Sequence, residues 1–560
     1  MDSESNSEGV NPAPVNNQSH WNPFKIFFVG CRNTLKLDTL GREITRIAVP
    51  AALALTADPV ASIIDTAFIG RIGPVELAAV GVSIAIVNQI SKVFNFPLVS
   101  VTTSLVAEED ATTEMVVQGP LDIEKSIKEC TTNPINIEKD VEDATKGVVV
   151  EGLEIAKSIK ECPANPTNNE KDSLISCPPI TSEAANTIID STTATLCIEK
   201  RLLPSVSSAL VIGAVLGILQ ALIMIVAAKP ILSIMGVHAK SPMRSPAERY
   251  LKLRAFGAPA VVISLATQGV FRGFKDTMTP LYATLAADIS NIALDPVLIF
   301  VLKFGVGGAA IAHVVSQYLM ALILLFRLHK QVVLLPPKLS DLQFARFFKS
   351  GGLLLARVTA VTVCTTLAAS MAARQGAISM AAFQICNQIW LATSLLADAL
   401  ALAGQAILAS AFAIGDYEKA RNAAARTLQM GMVLGIFLGV VLSGGVHIIS
   451  RLFSNDIHVL KMTYIGMPFV AATQPLNSLA FVFDGINFGA SDFAFAAYSM
   501  VIVSMITIGC LLTLSAHWGF VGVWIALTIM MTLRMLAGVW RIGTGSGPWR
   551  FLRTWKGSPL

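Results

Sequence analysis

The stretch from Gly351 to Ala373 reads GGLLLARVTAVTVCTTLAASMAA and carries one charge, Arg357. A cation inside an apolar span costs at least about 2.5–3.5 kcal/mol on insertion scales. It is tolerated where it faces a water-filled cavity or an acidic partner. Guanidinium stays charged at any working pH and grips a carboxylate through two parallel hydrogen bonds. Arg357 is therefore the best anion-ligand candidate in the chain. The competing explanation is an internal ion pair with Asp484, which a substrate could displace. Lys92 interrupts the apolar run AIVNQISKVFNFPLVS and is a second candidate, with snorkelling to an interface as the alternative. Arg272 is a weaker one, because it opens a turn where a solvated charge is expected; Arg374 reads the same way. Asn387 and Gln388 offer uncharged donors, though polar residues are also common packing glue between membrane helices.

A second set is acidic. Asp65 lies in the first apolar segment. Asn291 and Asp295 are four residues apart, so they share one helical face. Burial in a membrane favours the neutral form of a carboxyl, so such a group takes up a proton on one side and releases it on the other. The plain alternative is a structural hydrogen bond at a helix break, since Asp295 precedes Pro296. Asp58 precedes Pro59, and there the structural role is favoured. His313 could extend a proton network, its reference pKa being near 6.5, or simply pack.

These residues need apolar elements to hold them. Hydrophobic residues make up 53% of the chain and charged residues 14%, against about 25% charged in soluble domains. Twelve apolar segments are marked near 44–70, 74–105, 203–236, 249–272, 279–302, 306–328, 348–373, 377–413, 425–448, 458–487, 493–514 and 518–540. Pro50, Pro59, Pro97, Pro259, Pro296, Pro468 and Pro475 predict kinks lining a cavity. Lys and Arg cluster on the N-terminal flank, after segments six and eight, and in the tail, which places both termini in the cytosol. Lys240 and Arg244, in the third connection, break that pattern.

The net charge of +4 hides a split. Residues 106–200 carry nineteen Asp and Glu against eight Lys, and the rest of the chain is correspondingly basic. This insert contains its own repeat, LDIEKSIKECTTNPINIEKD at 121–140 and LEIAKSIKECPANPTNNEKD at 153–172, and is expected to be largely disordered. The first 24 residues are polar and lack the apolar region of a secretory signal. The eight cysteines show no metal-ligand spacing. No basic stripe with interleaved aromatics suggests nucleic acid, and no nucleophile elbow, phosphate loop or zinc pair suggests an enzyme or a cofactor.

A longer repeat sets the architecture. GxxGxxIA occurs at Gly305–Ala312 and at Gly519–Ala526, Phe256–Pro259 resembles Ile465–Pro468, and Gly73–Ala79 resembles Gly376–Ala382. The offsets differ by about the length of the insert. The expected fold is thus an all-α polytopic membrane protein, with twelve transmembrane helices in two six-helix lobes related by pseudo-two-fold symmetry. The organisation is a tail at 1–43, a lobe at 44–330 containing the 106–200 insert, a linker at 331–347, a lobe at 348–541 and a tail at 542–560. Such paired repeats support alternating access around a site near the bilayer midplane.

ALTADPVASIIDTAFIGRIG, FRGFKDTMTPL and NIALDPVLIF resemble the multidrug and toxic compound extrusion (MATE) family. NQISKVFNFPLVSVTTSLVAEE, the insert after it and SGGLLLARVTAV resemble its plant branch that exports citrate. The resemblance implies export of citrate or a similar carboxylate, with roles in iron movement or aluminium tolerance. It implies a protonation site at Asp65, Asn291 and Asp295. His313 stands where many relatives have a hydroxyl residue, and Arg357 where many cation exporters have an acid. The expected protein is a proton-linked monomer in the plasma membrane, its partners being the anion, protons and the lipid bilayer. Two rivals stand beside it: a proton-driven antiporter of cationic or neutral metabolites, and a flippase of lipid-linked substrates.

Overall fold

In a bilayer each backbone polar group must be satisfied within its own segment, so apolar runs of this length fold as helices. The structure, a computed structural model, describes residues 38–132, 203–235, 237, 241–334, 343–453 and 456–554. The helices are α1 (Thr39–Gly70), α2 (Pro74–Thr132), α3 (Pro204–Val226), α4 (Ala228–Ile234), α5 (Arg244–Ala255), α6 (Ala258–Gly273), α7 (Met278–Pro296) and α8 (Val306–Gln331). They continue as α9 (Phe344–Arg374), α10 (Ala377–Ala413), α11 (Tyr417–Phe453), α12 (Ile457–Ala472), α13 (Gln474–Gly489), α14 (Phe493–Gly543) and the short α15 (Phe551–Thr554). The α1 start is fixed by its cap: the Asp38 carboxylate accepts from the Gly41 amide at 2.8 Å.

Among the described residues, eight helices are each long and apolar enough to cross a bilayer, and two bent pairs make ten. The 51-residue α14 is two spans joined at Gly519, and α12 with α13 form one more broken span, which gives twelve. The expected prolines mark several breaks. The α5–α6 pair bends by 47° beside Pro259, and α2 bends by 41° a few residues before Pro97. Pro296 leads into a π-helical turn over Val297–Val301. α1 runs through Pro50 and Pro59 without a break.

The two halves repeat in backbone detail. Gly305 opens α8 with φ +55°, and Gly519 joins the halves of α14 with φ +54°. Both lie in the left-handed region that glycine enters without steric cost. The other proline match needs correction. Pro259 stands in the first turn of α6, and its counterpart is Pro475 in the first turn of α13, not Pro468 inside α12. A Cβ on Gly217 would meet the Pro259 Cα at 2.6 Å, and one on Gly435 would meet the Pro475 Cα at 2.5 Å. The string around Pro468 looks alike, but the close helix crossing recurs at Pro475.

By contact the chain forms two units, residues 1–112 with 202–560, and residues 113–201. The insert is not wholly without structure, since α2 continues as helix to Thr132. The remainder of the insert lies outside the described residues. In the larger unit α10 is central, with most of its apolar window buried, whereas α11 turns Phe437, Val440 and Ile448 outward as a lipid-facing side would.

Polar contacts tie the lobes together at the end holding the α1 N-terminus. Glu43 takes Lys275 at 3.1 Å and Lys419 of the second lobe at 3.5 Å. Arg426 meets Asp38 at 3.3 Å, and Arg346 pairs with Glu108. Deeper in, Gln405 donates to the Ser100 carbonyl at 2.8 Å and to Ser104 Oγ at 2.9 Å.

Candidate functional site

The second lobe holds a buried charge cluster. Arg357 projects from α9 and is 4% exposed. Its Nη2 donates to Asp484 Oδ2 on α13, and Arg534 Nη2 on α14 donates to the same oxygen. The expected Arg357–Asp484 pair is therefore present, with a second arginine that the sequence reading missed. Each guanidinium also lies against a ring, Arg357 5.2 Å from Phe488 and Arg534 5.2 Å from Phe481. Stacking of this kind holds a guanidinium plane in place. The three charged residues line a tight cleft of about 10 Å³ with Asn487, Ser499 and apolar side chains of α14.

Two more charges extend the cluster. Asp398 on α10 lies in the field of Arg357, Arg534 and Asp484, and also of Arg272 on α6. Arg272 is 8% exposed, with Nη2 3.4 Å from Gln268 Oε1. The expectation of a solvated charge there is wrong. α6 runs to Gly273, so its last turn keeps this side chain inside, facing an acid of the other lobe. Three guanidinium groups thus face two carboxylates, a surplus of one positive charge if both acids are ionised.

The other candidates divide. Arg374 is exposed in the last turn of α9, as expected. Asn387 is half-buried and Gln388 exposed, and neither lines the cleft. Lys92 falls in α2, but its side chain lies outside the described residues.

The first lobe assembles the acidic set. Asn291 Nδ2 donates to Asp65 Oδ1 at 2.7 Å, joining α7 to α1. Ser316 on α8 lies 3.4 Å from Asn291 Oδ1 and donates to the His313 carbonyl at 2.8 Å. Asp295 is 1% exposed and lies beside Asp65, with neither of its carboxyl oxygens hydrogen-bonded among the described residues. Asp58 and Asp288 are neighbours across the same two helices. Both steps are seven residues, two helical turns, so the pairs stack along the α1–α7 seam. A helix-break role for Asp58 is corrected, since α1 runs on through Pro59 without a break. Arg254, on α5, lies in the field of Asp58, Asp65 and His313, and its Nη1 donates to Tyr250 Oη at 2.7 Å. The sequence hid it at the end of the polar helix RSPAERYLKLRA.

The family model MatE matches residues 198–297 and 354–512, parts of both lobes. Protein DETOXIFICATION 42 of Arabidopsis thaliana is 56% identical over 95% of this chain and 98% of its own length. The chain belongs to the MATE family. A second relative in the same plant, Protein DETOXIFICATION 44, chloroplastic, is 43% identical over 92% of this chain and 84% of its own. Among solved structures, a MOP superfamily transporter from Pyrococcus furiosus, described as having a binding pocket of reverse polarity, superposes with a TM-score of 0.67. Its identity is 16%, over 92% of this chain and 98% of that one, a likeness of fold. As a MATE protein the chain is a multi-pass membrane transporter that effluxes compounds, with two six-helix lobes.

Proposed function

We propose that this MATE protein exports citrate or a similar carboxylate by alternating access, with the anion held in the second lobe. The observation that carries this reading is the surplus of guanidinium over carboxylate around the Arg357 cleft. A buried cluster one positive charge in excess favours an anion and repels organic cations. Asp484 occupies the arginines in the empty state, and a substrate carboxylate takes its place. Arg272 and Asp398 set the field from the side, and Lys92 is the second anion ligand of this reading. At an inside-negative potential of 100 mV each exported negative charge gains about 2.3 kcal/mol, so a trivalent anion leaves downhill.

The first lobe supplies the proton linkage. Asp65 and Asp295, with Asn291, exchange a proton with the cavity and bias the two conformations, and His313 lies within the same group. The plasma membrane, cytosolic termini, a monomeric state and roles in iron movement or aluminium tolerance complete the proposal. The vacuole is the competing location, and the chloroplast a further one, because three plant relatives are named chloroplastic. The acids of the first lobe favour a second reading, antiport of an organic cation against protons.

The test is efflux of labelled citrate from preloaded oocytes, comparing wild type with Arg357→Ala at equal surface expression. Efflux that collapses in the variant is the expected result. Efflux that survives moves the anion site away from this arginine. Absence of wild-type efflux at both external pH 5 and pH 7.5 removes citrate and promotes the cation antiporter.

A further inference from the structure

Two polar atoms in the second-lobe cleft are buried and have no hydrogen-bond partner. One is Asn487 Oδ1, on a residue 4% exposed. The other is Arg534 Nε, on a side chain 7% exposed. Both residues line the same cleft. A buried acceptor and a buried donor left unmade are each costly, so their pairing waits for a ligand.

The two atoms ask for different groups. Arg534 already spends Nη2 on Asp484, and Nη1 lies 3.3 Å from Met531 Sδ. Its free Nε, beside Nη2, presents the side-on fork that grips a carboxylate through two parallel bonds. Asn487 Oδ1 can only accept, so it repels a carboxylate and suits an O–H. The arginines also fix a spacing. Arg357 and Arg534 share one Asp484 oxygen, so their tips are within two hydrogen-bond lengths, about 6 Å. That span fits two carboxylates joined by a short carbon backbone. In this conformation the cleft is closed around Asp484, with about 10 Å³ of free space, so a ligand enters only as Asp484 gives way.

We propose that this cleft selects small polycarboxylates bearing a hydroxyl group, with Arg357 and Arg534 each taking a carboxylate and Asn487 accepting from the hydroxyl. The inference rests on the anion reading above and adds the residue that distinguishes hydroxylated from plain polycarboxylates. Asp484 is the tethered stand-in for one substrate carboxylate. A monocarboxylate offers the arginines no more than Asp484 already does, whereas a second carboxylate on the same molecule gives the ligand the advantage of linkage.

The experiment uses the full-length protein in oocytes and compares efflux of labelled citrate with that of labelled tricarballylate. Tricarballylate has the same three carboxylates and no hydroxyl. Wild type is expected to favour citrate by about tenfold in KM, the worth of one buried hydrogen bond. Asn487→Ala should bring that ratio close to one through a higher KM for citrate. Asn487→Asp, which keeps an acceptor, should retain discrimination at reduced overall affinity. Surface biotinylation checks that each variant reaches the membrane. Equal handling of both acids by wild type, or a ratio that survives in Asn487→Ala, overturns the inference. If efflux is still lost in Arg357→Ala, the anion reading stands without it. No citrate efflux by wild type overturns both.

Discussion

Arg534 shows how much one side chain decides in this cluster. With it, Arg357 keeps a partly unspent guanidinium; without it, Arg357 and Asp484 form a closed neutral pair. Arg534→Ala is expected to lower citrate efflux at least tenfold at equal surface expression, and unchanged efflux would confine the anion site to Arg357. Arg357→Lys should not restore activity, because an ammonium has neither the fork nor the plane that rests on Phe488. In the other lobe, Asp295→Asn removes the acid beside Asp65. Citrate efflux from this variant should become insensitive to external pH between 5 and 7.5, while a retained pH dependence would place the proton elsewhere. Arg357 was readable in the sequence because it stands alone among apolar residues. Arg534 was not, since MTLRMLAGVW reads as a helix approaching its basic end. Asp58 was masked by Pro59, and its partner Asp288 is one polar residue in a run of small ones. Contacts across helices are set by rotation and crossing, which a single chain of letters does not encode.

At the level of helices, the twelve spans were legible because each must be apolar throughout. Their breaks were half legible. Proline marked the α5–α6 bend, yet α1 carries two prolines and stays continuous. A proline inside a helix removes one donor, and packing decides whether the chain kinks. The repeat was found from a glycine pattern, while its proline partner was misplaced by seven residues because a similar string lay nearby. The true match rests on the closest helix crossings, Gly217 on Pro259 and Gly435 on Pro475. Gly435→Ala forces a methyl into backbone atoms and is expected to cost about 1–3 kcal/mol. Its check is the melting temperature of detergent-purified protein, and a value equal to wild type would show that α11 can shift away from α13. The two stacked carboxyl pairs make a prediction for the seam between α1 and α7. Asp288→Asn should shift the pH midpoint of efflux without abolishing it, because the deeper pair remains.

Across the molecule, the cross-lobe ion pairs among the described residues lie at one end. There Glu43 bridges a lysine of each lobe. Exposed ion pairs are worth up to about 1 kcal/mol each, and about 1.4 kcal/mol is tenfold in a population. Glu43→Gln should therefore raise the opening of that end by several-fold up to tenfold. The measurement is thiol labelling of Ser100→Cys, on a background without reactive native cysteines, with reagent applied from the α1 N-terminal side. Ser100 is 5% exposed here, and its carbonyl rather than its side chain accepts from Gln405. An unaltered labelling rate would assign the closure to the apolar contacts instead. Because this clasp is built from solvent-facing charge, its strength falls with ionic strength on its own side of the membrane. Salt there acts on the same balance of conformations that protons would act on in the function proposed above. On that reading the transporter is a rectifier with two bias settings, one chemical and one ionic. A cell that changes its salt retunes the resting direction of the gate without touching the site that reads the cargo.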